Sequence, residues 1–365
     1  MKRTLLIWAS MACMTVHSVT AQDAAVNKII EIGQTDNQVM DHLDVLTNRI
    51  GGRVIGSNAY DNAVEWVASK FTEWGLEVEL QEAGTLPVGF NRGPWFGKLL
   101  GENGTELHFV TPSYTAGTKG VQRGHVLQEP LTQSEFDRMK GQLKGAWVLI
   151  NGKNVGWPVD RSAKGDSIRA AIISENNETA KKNRQIMEDN WRNNTDNPLL
   201  PLKEDVPALF YKQMCEAGVL GFIQSASVPL RALYDKAVMH DPTFTFDNLP
   251  EVCDIKLDEH QYATIKQMVK ERRTFFLEFD IRNHFRMGPV KYYNVIGKIN
   301  PFNAPASTNN TAGCPASAIQ IVLTAINPTI NHFSFFSIVL LNVLRKDTDV
   351  YAHPTIDVIA AHKIT

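Results

Sequence analysis

Three histidines and one aspartate in the C-terminal part of the chain are residues whose types could bind a metal ion: His332, His353, Asp357 and His362. Zinc takes imidazole nitrogen and carboxylate oxygen as ligands, and a bound zinc ion activates water for hydrolysis. His353 and Asp357 are four residues apart, a spacing that would place both on one face of a helix. The same spacing arises easily among unrelated exposed polar residues, and we adopt this second interpretation.

The serines and glycines that stand out do not complete a known catalytic or phosphate-binding motif. Ser57, Ser113 and Ser174 lack the Gly-x-Ser-x-Gly pattern of the nucleophile elbow. The pair Gly51-Gly52 and the nearby Gly56 lack the Lys-Ser/Thr ending of a phosphate-binding loop. We therefore expect these glycines in turns and helix caps.

Histidines elsewhere in the chain are expected to be structural. His240-Asp241 precedes Pro242, which favours a loop turn over a metal site. His108 and His125 are expected to face solvent or to close a turn. None of them is assigned a catalytic, cofactor-binding or metal-binding role.

The cysteines do not form a disulfide framework or a thiolate zinc site. After removal of an N-terminal peptide, Cys215, Cys253 and Cys314 remain, an odd and widely spaced set without a Cys-x-x-Cys pair. Cys215 and Cys253 could pair in an oxidising compartment, or they could be free buried thiols. The sequence leaves both alternatives open.

The N-terminus has the layout of a secretory signal peptide. A basic start, Lys2-Arg3, precedes a short apolar stretch and then Val19-Thr20-Ala21, so cleavage is expected before Gln22. The apolar stretch is shorter than the roughly 20 residues of a membrane span. We therefore expect an exported protein, periplasmic or secreted, without a transmembrane segment. A net charge of −2 argues against a nucleic-acid partner.

The order of expected elements indicates an α/β fold. Residues 24–50 and 58–74 have apolar residues at three- and four-residue steps, as amphipathic helices do, and a glycine pair separates them. Residues 76–81 alternate as a half-buried strand does. Further elements are a hairpin at 98–109, strands at 144–150, 217–224, 274–282 and 293–299, and helices near 211–216 and at 258–273. Residues 167–191 are expected as an exposed helix or excursion.

Two motifs and the helix between them stand in a specific order: Arg49-Ile-Gly-Gly-Arg-Val-Ile-Gly-Ser57, the helix that follows it, and Phe71-Thr-Glu-Trp-Gly-Leu-Glu77. In these residues the sequence resembles zinc metallopeptidase family 28, which includes carboxypeptidase Q and related aminopeptidases. Residues 144–151 and 217–225 resemble strands of the protease-associated domain that many members carry as an insertion. Tyr293-Asn-Val-Ile-Gly297 resembles the strand by which the family's chain returns to its catalytic sheet. The resemblance covers roughly residues 25–299.

The resemblance implies a fold and a domain order for this chain. The family's catalytic domain is a doubly wound α/β sheet, here expected to be incomplete, with an inserted, mostly β, protease-associated-like domain. The expected segments are a signal peptide at 1–21, the N-terminal part of the peptidase-type domain at 22–95, the insertion at 96–285, a return strand at 286–299 and a divergent tail at 300–365.

The resemblance also implies a chemistry. Two zinc ions polarise the scissile carbonyl of a peptide substrate and lower the pKa of a bridging water, and a carboxylate takes the proton. In the family the first histidine ligand comes from a His-x-Asp motif, and adjacent glutamates supply the base and a further ligand. These residues should follow residue 299 in this chain.

The sequence departs from the family at that point. Residues 300–365 contain neither a His-x-Asp motif nor a glutamate, and the whole chain has no Asp-Asp or Glu-Glu pair. We therefore expect a family member that is truncated or frame-disrupted near residue 300, that binds no zinc and that has no activity of its own. Two alternatives remain: an active zinc exopeptidase with an unusual C-terminal half, and a non-enzymatic module that binds peptides or proteins.

Overall fold

The computed structural model describes residues 27–101, 104–227 and 245–298, and the backbone of two short strands, β14 (Gln320–Val322) and β15 (Leu340–Asn342), which pair antiparallel. The expected signal peptide, His240-Asp241, Cys314 and the C-terminal histidines lie outside these residues. The chain divides into two compact units, Met1–Arg53 and Val54–Thr365.

The first unit is helical but is not the single helix expected over residues 24–50. Residues 27–35 are helical, α1 covers Val39–Asp44, and a π-helical turn follows at Val45–Ile50. The helix is interrupted at residues 36–38, where the Asn37 side chain accepts a hydrogen bond from Val39 N at 2.9 Å. Such a local side-chain bond competes with the helical pattern and starts a new helix.

The second unit opens with helix α2 (Asn58–Glu73), close to the expected bounds. Ser57 caps it by accepting a hydrogen bond from Tyr60 N at 3.1 Å, which satisfies one of the unpaired amides of the first turn. The buried face of α2 packs on a two-stranded antiparallel sheet of β1 (Glu77–Leu86) and β13 (Val290–Lys298), and Tyr60 Oη donates to Tyr293 O at 2.9 Å.

The β1–β13 sheet joins parts of the chain that are far apart in sequence. Nine residue pairs connect the two strands, with an irregularity between Glu82 and Gly84. Both strands are longer than expected. Leu80 remains 48% exposed, so β1 is less buried than its alternation predicted. Among the described strands β1 pairs only with β13, and it has no described neighbour on its other side that could cover this side chain.

Two antiparallel sheets follow. β2 (Gly89–Asn91) pairs with β12 (His284–Arg286). A four-stranded sheet has the order β4 (Thr105–Glu106), β3 (Trp95–Leu100), β11 (Phe276–Ile281), β6 (Gln122–Gly124). The β3–β4 pairing confirms the expected hairpin.

The largest sheet has five strands in the order β5 (Phe109–Val110), β10 (Cys253–Asp258), β9 (Gly221–Ala226), β8 (Trp147–Asn154) and β7 (Val126–Gln128). Strands β7 to β10 are parallel, and only β5 is antiparallel. Parallel strands need crossover connections, and helices usually provide them.

Helices cover both faces of this sheet, so the expectation of a mostly β insertion is wrong. On one face, α3 (Gln133–Met139), a 3₁₀ turn (Lys140–Gln142), α4 (Ala163–Asn193) and α5 (Tyr211–Glu216) surround a core that includes Val148, Ile150 and Phe222. On the other face, α6 (Glu259–Lys270) and β11 pack on Trp147, Leu149 and Ile223. The segment is α/β because strands buried on both faces require a helical layer. No helix in the described ranges is both long enough and apolar enough to cross a membrane.

Candidate functional site

The residues considered for metal binding from the sequence have no described placement. His332, His353, Asp357 and His362 lie beyond residue 298, so the structure neither brings them together nor separates them. Across the parts of the chain that are described, no group of three or more His, Cys, Asp or Glu side chains is arranged to hold a metal ion. The described residues between 54 and 298 form the framework of the second unit, and no metal centre is described among them.

The other residues considered from the sequence have structural roles where they are described. Ser113 accepts a hydrogen bond from Arg92 Nη2 at 2.8 Å, and Ser174 is exposed on α4. His108 is exposed, and His125 Nε2 lies 2.8 Å from Gln142 O. Gly51 and Gly56 have φ values of +82° and +78°, which glycine adopts without strain. The two glycines agree with the turn and cap roles expected of them, and His108 agrees with the expected exposure to solvent.

Cys215 and Cys253 are free thiols in the structure. Burial raises the pKa of Cys215 to about 11 and that of Cys253 to about 12, because the thiolate would lose its hydration. Both thiols are therefore mostly protonated at neutral pH, and the nucleophilic thiolate form of each is scarce.

A buried polar cluster crosses the parallel sheet, and sequence reasoning did not find it. It consists of Gln128, Glu129, Asn151, Gln224, Asp254, Lys256 and Lys266, from four neighbouring strands, from the residue after β7 and from α6. Lys266 is exposed and Gln128 is half-buried, whereas the other five are buried. Ligand sites of parallel sheets lie at the carboxyl ends of the strands, and most of these residues are in that half of the sheet. The position of the cluster therefore makes it a candidate functional site.

Glu129 is the buried glutamate of the cluster. It follows β7, is 4% exposed, and accepts hydrogen bonds from Asn151 N at 2.5 Å and Leu209 N at 3.4 Å. Ala208 adopts a left-handed backbone, φ +54°, next to the Leu209 amide that reaches the carboxylate. Burial raises the pKa of Glu129 to about 7, although the backbone amides favour its charged form.

This raised pKa predicts a pH dependence of stability. A group whose pKa is higher in the folded state stabilises the fold below its unfolded pKa, and that contribution is lost as the pH rises through the folded value. Between pH 5 and 8, ionisation of Glu129 should lower the free energy of unfolding by about 2–3 kcal/mol. Urea unfolding of the wild type and of Glu129→Gln between pH 5 and 8 measures this change. The free energy of unfolding of the variant should lack the decrease that comes from Glu129. An equal decrease in the two proteins would contradict the prediction.

Asn151 connects the members of the cluster. Its Oδ1 accepts from Gln128 Nε2 and from Lys266 Nζ, each at 3.0 Å, and its carbonyl oxygen accepts from Gln224 Nε2 at 3.2 Å. Its backbone N–H is the group that donates to Glu129. The residue thus links β7, β8, β9 and α6 through one side chain and one peptide unit.

Lys256 and Asp254 form a buried ion pair on β10. Lys256 is fully buried; its Nζ lies 2.7 Å from Asp254 Oδ1 and donates to Gln224 Oε1 at 3.1 Å. Asp254 Oδ2 accepts from Val159 N at 2.7 Å. Asp254 Oδ1 has the ion-pair distance to Lys256 but lacks hydrogen-bond geometry. The partners of these charges all come from within the fold, so the pair orders β10 and the loop before α4.

The clefts near the cluster are small. One cleft, lined by Ser113, Tyr114, Arg161, Tyr211 and Asp254 among others, has a volume of about 20 Å³, room for about one water molecule. A shallower cleft of about 110 Å³ lies between α4 and α5, beside Asp166, Arg169 and Lys212. Both are smaller than the roughly 300 Å³ at which pockets for organic ligands begin. We interpret the cluster as a structural network.

Comparison with known proteins finds no matching protein family and no matching curated protein. Solved structures do match. A peptidase M28 precursor from Shewanella amazonensis SB2B shares 14% identity over 75% of this chain and 53% of its own, with a TM-score of 0.39. BSAP, a zinc aminopeptidase from Bacillus subtilis, shares 12% identity over 73% and 48%, with a TM-score of 0.37. An aminopeptidase from Aneurinibacillus sp. strain AM-1 shares 13% identity over 75% and 49%, with a TM-score of 0.33. The chain spans about half the length of these proteins.

Proposed function

We propose that this chain is an exported member of the zinc exopeptidase family that its sequence resembles, and that it does not itself hydrolyse peptides. The observation that carries the family assignment is the β1–β13 sheet. The resemblance predicts that the strand at 293–297 returns to the sheet started before the insertion, and Val290–Lys298 pairs with Glu77–Leu86 along nine residue pairs.

The packing of α2 on this sheet supports the same assignment. Phe71 and Leu76 lie against Gly297, where an added Cβ would meet their side chains at 2.9 Å. The glycine of the motif at 293–297 is therefore required for close approach of helix and sheet. The helix, the strand and the return strand of the resemblance meet at one place in the fold.

The proposed lack of activity rests on the types of residue that follow the return strand. Binuclear zinc hydrolysis needs converging imidazole and carboxylate ligands and a carboxylate base. Residues 300–365 contain no glutamate and no His-x-Asp motif, and the ligand types present are three histidines, three aspartates and Cys314. This set lacks the adjacent glutamates that the resemblance assigns to the base and one ligand.

Zinc analysis of the purified exported chain tests this proposal. The mature protein, whose N-terminus is expected at Gln22, should contain no stoichiometric zinc after dialysis against zinc and then against metal-free buffer. The physical reason is that three histidines without a matching carboxylate set do not build a paired zinc site. Chelator-treated protein is the control. Two zinc ions per chain that survive dialysis would contradict the proposal.

If the chain is instead an active zinc exopeptidase, the same dialysed protein should contain zinc. In that case His353, Asp357 and His362 would be ligands, and the protein would retain zinc that single alanine substitutions at these positions remove. The peptide substrates of the family would then also be substrates of this chain.

A further inference from the structure

The distal half of α4 is held by the connecting segment that follows it. α4 spans Ala163–Asn193, about 46 Å at 1.5 Å per residue, and its last buried residue is Asn176. Beyond this point the hydrogen bonds from α4 side chains to other parts of the second unit go mainly to residues 195–200. The helix therefore has a partner there other than the sheet.

Three asparagines on α4 make these contacts at intervals of seven residues. Each side-chain amide both donates to the carbonyl oxygen and accepts from the N–H of a single residue in the connecting segment. We call the three side chains the asparagine ladder and residues 197–203 the strap. The pairs are Asn190 with Asn197 (2.9 and 2.9 Å), Asn183 with Leu200 (2.9 and 2.8 Å) and Asn176 with Lys203 (2.9 and 2.8 Å).

The spacing of the ladder defines the conformation of the strap. Seven residues of α-helix advance about 10.5 Å, and the strap covers this distance with three residues, or about 3.5 Å per residue. A polyproline II helix advances about 3.1 Å per residue with a period of three, and a fully extended chain about 3.3–3.6 Å. The strap is thus an extended segment of period three that runs antiparallel to α4.

The two prolines of the strap fit this arrangement and select its register. Pro198 and Pro201 have no N–H, and the ladder takes its donors from Asn197, Leu200 and Lys203 instead. A residue before proline is also biased towards extended backbone, which is the conformation that Asn197 and Leu200 need. A register shifted by one residue towards the C-terminus would place a missing donor opposite Asn190 and Asn183.

The ladder binds the strap through the strap's main chain. All six bonds of the ladder to the strap end on backbone atoms, and the Leu199 and Leu200 residues are 51% and 43% exposed. Side-chain burial therefore contributes little to the contact, and the Thr195 hydroxyl adds one bond to Asn190 Oδ1 at 2.9 Å. Any segment with the same backbone spacing presents the same groups.

We propose that the asparagine ladder of α4 is a binding site for extended, proline-containing peptide segments, and that the strap is its resident ligand. The ligand class is defined by a free N–H and C=O at every third residue, with proline tolerated at the position after each. The site is independent of the peptidase-type half of the chain.

Amide hydrogen exchange in the full chain tests the resident contact. The Leu200 amide should be protected, and Asn183→Ala should speed its exchange by about tenfold, the loss expected for two hydrogen bonds. Asn193→Ala is the matched control, because Asn193 is on the same helix outside the ladder, and it should leave Leu200 unchanged. Exchange of Leu200 at the rate of an unstructured peptide in the wild type would overturn the proposal.

A peptide added to a strap-replaced chain tests the site itself. Residues 196–204 are replaced by a glycine-serine segment of equal length, and a synthetic peptide with the sequence of residues 196–204 is added. We expect saturable binding at millimolar peptide, weakened about a hundredfold, beyond detection, when Asn183 and Asn190 are both changed to alanine, because four hydrogen bonds are lost. A peptide N-methylated at Leu200 should not bind.

Both outcomes of the peptide experiment are informative. Binding that is absent, or that is equal in the alanine variant, would overturn the proposal. If the replaced chain loses helix by circular dichroism, the peptide should restore it, and failure to do so would count against the site.

Discussion

Replacement of Asp254 by alanine is expected to lower the free energy of unfolding by about 3–5 kcal/mol. The substitution leaves the fully buried ammonium of Lys256 with a single neutral partner, Gln224 Oε1, and leaves the Val159 amide without its acceptor. A buried charge that has lost its counter-charge is stabilised neither by water nor by an opposite charge. The loss of unfolding free energy is therefore much larger than for a surface ion pair. Urea unfolding of the full chain at pH 7 measures the effect.

Two controls separate the ion pair from the general effect of a substitution. Glu259→Ala breaks the pair with Lys153, which is partly exposed to solvent, and should cost about 1 kcal/mol or less. The double variant Asp254→Ala, Lys256→Met removes both charges and should recover a large part of the loss. A loss below about 1 kcal/mol for Asp254→Ala alone would show that the pair is not desolvated as the structure indicates.

Local sequence patterns predicted most of the described elements of the second unit. The apolar steps of α2, the hairpin between β3 and β4, and the helix α6 all follow from short-range physical rules. The family resemblance predicted only that residues 293–297 return to the catalytic sheet. The pairing of β13 with β1 was not predicted, since no local signal connects strands so distant in sequence.

Elements whose form depends on tertiary context were predicted less well. The insertion was expected to be mostly β because residues 144–151 and 217–225 resemble strands of a protease-associated domain, and residues 167–191 were expected as an exposed helix or excursion. In the structure they lie within α4, whose proximal half packs on the sheet. The long helix of the first unit was expected to be continuous, and the side chain of Asn37 interrupts it.

The buried polar cluster and the ladder could not be predicted because their residue types usually indicate surface. Glu129 and Lys256 are charged residues, which are rarely buried unless paired, and no pattern marks their partners on other strands. The ladder has a signal in hindsight: asparagines at 176, 183 and 190, followed by prolines at 198 and 201. Asparagine is normally counted against a helix, so this heptad repeat was not interpreted as a contact face.

The second large effect concerns catalysis. Zinc exopeptidases accelerate hydrolysis by many orders of magnitude because paired metal ions polarise the carbonyl and supply hydroxide at neutral pH. The proposal is that residues 300–365 lack the base and ligand set that the resemblance implies, in which case no water would be activated in this way. The mature chain should therefore release amino acids from dipeptides no faster than a metal-free blank.

The assay of dipeptide hydrolysis by the purified mature chain, with and without added zinc, tests the central proposal most directly. His353→Ala and His362→Ala are the matched variants, because they remove the histidines whose spacing to Asp357 first raised the question of a metal site. We predict background rates for all three proteins under both conditions. Zinc-dependent release of amino acids that a chelator and either substitution abolish would contradict the proposal and establish the C-terminal histidines as a metal site.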